Sequence, residues 1–358
     1  MTTRLTLPTP PAGISRRSLI LGGLGSIGAA TLLAACGSPS PSGTGSAAAG
    51  APIGWQLSWT EDYEFAGSYL ADTNGYWSDQ GLAVKLLPGG PNTNPQQLVA
   101  AGQAFVSSSK AVSAANLLVS DGIKLKIVGA LWQKYGLTVI SRSDNPITSP
   151  QDLEGKTVGV FASNDSDWAA FLALNGVDRS KITEVPGSYD ITPVASGTVD
   201  AVQGYGSTRI AQIASDVTLE TMLLADFGYN PISAAYAVKE ETLQDDAKRA
   251  QLVKFLRGEI MGWQDVAFGG QIDQAIDLTV NTYGKSLGLN ADEQRAGLEG
   301  QLDFVVSDES TANGLCTMSD SLIAGTQQVF DQLKLDVDVT DIVTTEILDE
   351  VYAGKNRV

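Results

Sequence analysis

From Ile53 onward the chain alternates between short runs rich in β-branched and aromatic residues and longer segments whose apolar positions recur at helical spacing. This is the pattern of βα units around mostly parallel sheets, and it predicts an α/β fold. Strands are predicted at 53–59, 82–87, 104–107, 125–131, 137–141, 157–161, 199–205 and 234–238. Helices are predicted at 65–78, 95–101, 111–120, 167–175 and 208–215, followed by a largely helical C-terminal half from Leu243. Gly81 and Gly102 fall at helix ends, where glycine adopts the left-handed cap without strain. A single core rarely grows past about 250–300 residues, so a chain of 358 is expected to form two lobes.

Ahead of Ile53 the pattern changes. The first 35 residues carry three Arg, no acid, and a glycine-rich apolar stretch at 19–35 that is shorter than the ~20 residues a membrane-spanning helix needs. They are expected to be an export signal. Ser15-Arg16-Arg17-Ser18-Leu19-Ile20 resembles a twin-arginine signal, and Leu33-Ala34-Ala35-Cys36 resembles the bacterial lipobox, which implies lipidation of Cys36. Residues 36–52, rich in Ser, Gly, Pro and Ala, then read as a flexible tether.

Composition sharpens the picture by exclusion. Hydrophobic residues make up 43% and charged residues 18%, the profile of a folded globular chain. The net charge is −17, and loss of the signal leaves 20 basic against 40 acidic groups, which argues against nucleic acid as a partner. Such an acidic body is not held on an anionic bilayer by charge, so acyl chains on Cys36 would be the anchor. There is no His, which removes Ser-His-Asp and Cys-His nucleophilic chemistry and His-ligated metal. Of two cysteines, Cys36 lies in the processing site and Cys316 is left unpaired, so no disulfide, metal centre or cofactor is expected.

The order of GSYLADTNGYWSDQGLAVKLLPGG (67–90), Ala101-Gly102, ITSPQDLEGKTVGV (147–160) and SGTVDAVQGY (196–205) resembles the NMT1/THI5-like periplasmic substrate-binding proteins of ABC importers. Gly314-Leu315-Cys316-Thr317-Met318, Lys334-Leu335-Asp336 and 341–348 are most similar to the branch that binds thiamine-precursor pyrimidines. The resemblance implies a two-lobed, type II periplasmic-binding-protein-like fold with two hinge crossings, working as a monomer that closes on a small-molecule ligand and presents it to an ABC permease and its ATPase. The crossings are expected near Ser141 to Asp144 and Asn230 to Ala234, where apolar strands meet Pro, Asn and Ser. Lobe 1 would then comprise 53–140 and 234–358, and lobe 2 141–233.

Open α/β sheets bind ligands at the carboxyl ends of their strands, and candidate residues follow from that rule. Trp59, Glu61, Asp62 and Tyr63 leave the first strand and offer aromatic faces with carboxylates that accept from ring amines. Ser107, Ser108 and Ser109 follow the third predicted strand at a helix start, and Trp132 and Gln133 end the next. In the second lobe Ser163, Asn164, Asp165, Ser166 and Trp168 run from a strand into a helix. Acids there, Asp165 and Asp167, would neutralise the positive helix end, which disfavours sulfonate or nitrate and favours a neutral or cationic ligand. Tyr189, Asp190, Tyr205 and Tyr229 are predicted at the mouth of the cleft. Core packing of the aromatic residues and N-capping by the acids and serines would account for many of them equally well.

The functional expectation is therefore an exported, lipid-anchored receptor for an aromatic nitrogen heterocycle such as a thiamine-precursor pyrimidine. Alkyl sulfonates, nitrate and aromatic acids are alternatives within the same receptor class. A lipid-anchored scaffold or adhesion protein, or a His-independent enzyme, are alternatives of other classes. The acid pairs sit on single loops and do not flank a substrate from two sides as glycoside hydrolysis requires.

Overall fold

The computed structural model describes residues 51–90, 92–187, 191–206 and 216–358, and of Ser163 the backbone alone. The helix predicted at 208–215 and the candidates Tyr189, Asp190 and Cys36 lie outside the described residues. Ten strands are described: β1 (Ile53–Gln56), β2 (Val84–Leu87), β3 (Val106–Ser109), β4 (Leu125–Ala130), β5 (Leu137–Arg142), β6 (Thr157–Val160), β7 (Thr183–Pro186), β8 (Ala201–Tyr205), β9 (Leu219–Leu223) and β10 (Ala235–Lys239). They form two five-stranded sheets, ordered β2-β1-β3-β10-β4 and β7-β6-β8-β5-β9.

The two sheets repeat one plan. In the first, β1 pairs in parallel with β2 and β3, while β10 runs antiparallel to β3 and β4. In the second, β6 is parallel to β7 and β8, while β5 opposes β8 and β9. Each sheet thus has four strands of one direction and one opposed strand, and the opposed strand is the one that has just arrived from the other sheet. The predicted mostly parallel α/β architecture is found, with two passages of the chain between its layers.

The first passage differs from the expected position. β5 belongs wholly to the second sheet, so the chain crosses through 131–136 and not near Ser141 to Asp144, and the boundary drawn at 140/141 falls within a strand. The Ser, Asp, Asn and Pro after β5 make a local turn, with Asn145 N–H donating to the Arg142 carbonyl at 3.0 Å and an Arg142–Asp144 ion pair. A tight turn and a linker have the same residue signature, whereas the true crossing is marked by the aromatic Trp132 and Tyr135. The second passage, after the turn Leu224–Phe227, leads into β10 through the expected Asn230 to Ala234 stretch.

The third predicted strand is shifted by two residues. Ser107, Ser108 and Ser109 lie inside β3 and are buried, facing β10 across Ala237, Tyr236 and Ala235. Helix Ala111–Asp121 begins only after Lys110, which makes no side-chain cap.

The first lobe is anchored by a close helix crossing. Helix Ala66–Thr73 lies against helix Asp246–Ala267, and a Cβ at Gly262 would stand 2.0 Å from the Gly67 carbonyl oxygen. A Cβ at Gly67 would in turn meet the Trp263 indole at 2.4 Å, so neither glycine has room for a side chain. Gly262→Ala should therefore force the helices apart and cost about 1–3 kcal/mol of stability, outweighing the better helix propensity of Ala. Urea unfolding measures this; a neutral or stabilising effect would show that the crossing yields easily.

Candidate functional site

A cavity of about 940 Å³ opens where the ends of β1, β3 and β8 approach the two crossings. Trp55, Trp59, Tyr63, Tyr236 and Trp263 give its first-lobe wall an aromatic surface, while Asn164, Gln203 and Tyr205 line it from the second lobe. Trp132 and Ser233, one from each crossing, line it as well. The crossings run side by side, with Leu131 N–H donating to the Ala234 carbonyl at 3.0 Å. A smaller concavity of about 610 Å³, lined by Asn313, Thr317, Tyr352 and Lys355, lies among the C-terminal segments.

One hydrogen-bonded chain joins the lobes. Lys110, just beyond β3, donates to the Tyr205 hydroxyl at 2.6 Å, and Tyr205 donates to Asn164 Oδ1 at 2.7 Å. The ammonium also stands 3.5 Å from Asn164 Oδ1, 3.7 Å from Asp167 Oδ2 and 5.0 Å from the centre of the Tyr205 ring. Asp167 accepts from Tyr135 at 2.7 Å and from Tyr229 at 2.6 Å, so one carboxylate holds a phenol from each crossing.

The cavity is acidic. Among the described residues that line it, Lys110 is the only cation, against Asp62, Glu64, Asp121 and Glu259. Asp62 accepts from Glu64 N–H at 2.9 Å and caps the short turn Tyr63–Phe65. Burial pushes the Asp62 carboxyl up to about 7. Burial and the Asp62 charge push Glu64 up to about 8 against the pull of Lys110. Glu259 is 1% exposed and its Oε1 accepts from Ser68 at 2.8 Å, Tyr236 at 3.1 Å and Trp263 at 3.1 Å; burial still lifts it to about 7.

Polar atoms without a partner in the protein gather on the lining. They are Trp132 Nε1, Asn164 Nδ2, Gln203 Nε2, Ser233 Oγ, Glu259 Oε2 and Gln301 Oε1, six of the ten such buried side-chain atoms among the described residues. Buried polar groups are normally paired, so this concentration marks the cavity as a place where a ligand supplies the partners.

Of the residues expected here from sequence, Trp59, Asp62, Tyr63, Ser108, Ser109, Trp132, Asn164 and Tyr205 line the cavity. Others do not. Ser107 is fully buried within the sheet, and Glu61 is not on the lining. Gln133 spends its amide on the Ala130 and Thr317 carbonyls, at 3.1 Å each, which ties the crossing to the C-terminal segment. Asp165 is exposed and pairs with Arg179, and Ser166 is exposed on the same turn. Trp168 is a core residue of the second lobe, donating to Glu184 at 2.9 Å and stacking on Phe171. Tyr229 is buried behind the cavity on Asp167. The expected side-chain cap is absent from helix Asp165–Leu174: both acids sit in its first turn and are engaged elsewhere.

Glu64, Lys110, Gln203, Ser233, Glu259 and Gln301 were not anticipated. Glu259 had a signal: it interrupts the apolar stripe Leu252, Phe255, Leu256, Gly262, Trp263 and Val266, where a lone carboxylate is out of place. Lys110 had none, because its partners lie far along the chain at 164, 167 and 205.

A carboxyl whose pKa is higher in the folded than in the unfolded state binds more protons when folded, so stability falls as pH rises between the two values. For Asp62, Glu64 and Glu259 that window runs from about 4 up to about 8. The thermal midpoint of the ligand-free protein should therefore decline from about pH 5 to about pH 8. The double variant Asp62→Asn, Glu64→Gln should decline less; an unchanged slope would assign the effect to other groups.

The sequence profile of the family described as NMT1/THI5 like matches residues 62–268. The riboflavin-binding protein RibY of Chloroflexus aurantiacus is 24% identical over 338 residues, which covers 88% of this chain and 94% of that protein. Among solved structures, the periplasmic aliphatic sulphonate binding protein SsuA of Escherichia coli superposes with a TM-score of 0.60 at 15% identity, covering 82% of this chain and 92% of that one. The desulfurization enzyme DszB superposes with a TM-score of 0.55 at 14% identity, covering 84% and 98%. At such identities these structures establish the fold, a two-lobed periplasmic-binding-protein architecture. With more than half of its length matched by the profile, the chain belongs to the NMT1/THI5-like family.

Proposed function

We propose that the protein is an exported receptor that binds a flat aromatic nitrogen heterocycle and delivers it to an ABC permease and its ATPase, tethered to the outer face of the membrane through lipid on Cys36. The observation that carries this is the cavity itself, lined by aromatic rings and by six buried polar atoms that find no partner among the described residues. Rings stack a planar ligand, and a mixed set of neutral donors and acceptors fixes its orientation. Among the described residues of the lining one Lys, already held by the Tyr205 hydroxyl, stands against four carboxyls, a set with little to neutralise a buried sulfonate or nitrate.

Size and likeness bear on which heterocycle it is. At about 940 Å³ the cavity lies near the top of the ~300–1,000 Å³ range of small-molecule pockets and is roomy for one substituted pyrimidine. The likeness to a riboflavin-binding protein along most of both chains supports a ligand of flavin size. A thiamine-precursor aminopyrimidine is the second reading, favoured by Asp62, Glu64 and Glu259, which can accept from a ring amine. Catalysis is the weaker reading: the chain has no His, and Cys316 is fully buried and off the lining, its thiol pushed up by burial.

Thermal unfolding against riboflavin, aminopyrimidines, taurine, nitrate and aromatic acids tests the proposal. Ligand at about 100 times its dissociation constant adds about 2.7 kcal/mol, enough to raise the midpoint by several degrees. A rise with a heterocycle and none with the oxyanions is expected; a rise with oxyanions alone would overturn the heterocycle reading. Trp59→Ala should weaken heterocycle binding by about 1–3 kcal/mol with little change in ligand-free stability. Equal loss of folding stability would make Trp59 a packing residue.

A further inference from the structure

The second-lobe wall of the cavity has a fixed polarity. Gln203 lies in β8 and Asn164 closes the turn Ala162–Asn164 that follows β6, and these two strands pair directly through Gly159 and Val202. A side-chain amide can be turned end for end, so which end faces a ligand is decided by its partners. For Gln203 the partner is the Phe161 backbone N–H, which can only donate, and it meets Oε1 at 3.0 Å. The amide nitrogen is thereby the free end.

For Asn164 the same result comes through a relay. The Lys110 ammonium can only donate and takes the Tyr205 hydroxyl oxygen as acceptor at 2.6 Å. The phenol proton is then left to donate to Asn164 at 2.7 Å, so the atom it meets is Oδ1, and the ammonium 3.5 Å away demands the same polarity. Nδ2 is the free end. Both residues are 1% exposed, both line the cavity, and both amide nitrogens are buried with no acceptor among the described residues.

We infer that Asn164 and Gln203 form a paired donor site that reads oxo groups, so that the ligand presents carbonyl oxygens along one ring edge, as a pyrimidine-2,4-dione does, and not ring amines. Two NH₂ groups held in this polarity have nothing to offer an amine; a ring nitrogen presents each of them one lone pair in the ring plane, whereas a carbonyl oxygen projects beyond the ring and accepts with two. A site built to hydrogen-bond a group rejects the analogue that lacks it, because its own buried donors are then left unpaired. This deepens the heterocycle reading, rests on it, and favours the flavin-like candidate of the two.

The test combines ligand and protein changes, read as dissociation constants by calorimetry. In the wild-type protein, lumichrome should bind at least tenfold more tightly than 2,3-dimethylphenazine, which has the same three-ring outline without the dione. Gln203→Glu keeps the oxygen that Phe161 needs and, measured above about pH 8 where a buried carboxyl ionises, replaces the donor with an acceptor; Asn164→Asp does the same beside Tyr205. Each should weaken riboflavin at least tenfold. Riboflavin binding within twofold of wild type in both variants would overturn the inference. So would equal binding of lumichrome and 2,3-dimethylphenazine, a comparison that needs no variant to fold. Binding of an aminopyrimidine and of no oxo-heterocycle would overturn it and leave the heterocycle reading standing, whereas binding of neither class would overturn both.

Discussion

Two chain crossings give this fold its hinge, and one buried carboxylate holds them both. Asp167 takes the Tyr135 hydroxyl from the first crossing and the Tyr229 hydroxyl from the second, with the Lys110 ammonium close by. A carboxylate taken out of water needs such donors, and removing one partner would leave a charge or a phenol unsatisfied. Burial and the Asp167 charge push both phenols well above their ordinary range, so they stay protonated donors at any physiological pH. The phenols thus keep their protons over the range in which the carboxyls on the facing wall of the cavity change charge.

The cavity follows from this arrangement. Because the opposed strand in each sheet is the one that has crossed, β5 and β10 bring Trp132 and Ser233 to the point where both sheets end. The first lobe supplies rings and acids on a base stiffened by the glycine contact between two helices, and the second supplies neutral amides and a phenol. The chemistry is divided between the lobes, so neither half alone offers the full set of partners.

The repeated alternation of strands and helices made the α/β class readable from sequence, and eight of the ten described strands lie where that pattern puts them, some with ends displaced by one to three residues. The two that were missed, β7 and β9, are the edges of the second sheet. An edge strand is half exposed and carries polar residues such as Thr183, Glu184, Glu220 and Thr221, so its apolar signal is weak. In the site, strand-end aromatics and polar residues were found by topology alone. Asp165 and Trp168 were misplaced because a helix start exposes one side and buries another, which the sequence does not reveal there. Gln203, Ser233 and Gln301 are ordinary residues whose role depends on partners they lack, a property that exists only in three dimensions.

The chain from Lys110 through Tyr205 to Asn164 has a further meaning for timing. Its first member belongs to one lobe and the other two to the second, so the relay exists only while the lobes are together. When they part, the phenol is free to rotate its proton and the Asn164 amide to turn over, and that part of the wall loses its fixed polarity. Discrimination that rests on this polarity would then be exercised after encounter and not during it, in how long a bound molecule stays and not in how often one enters.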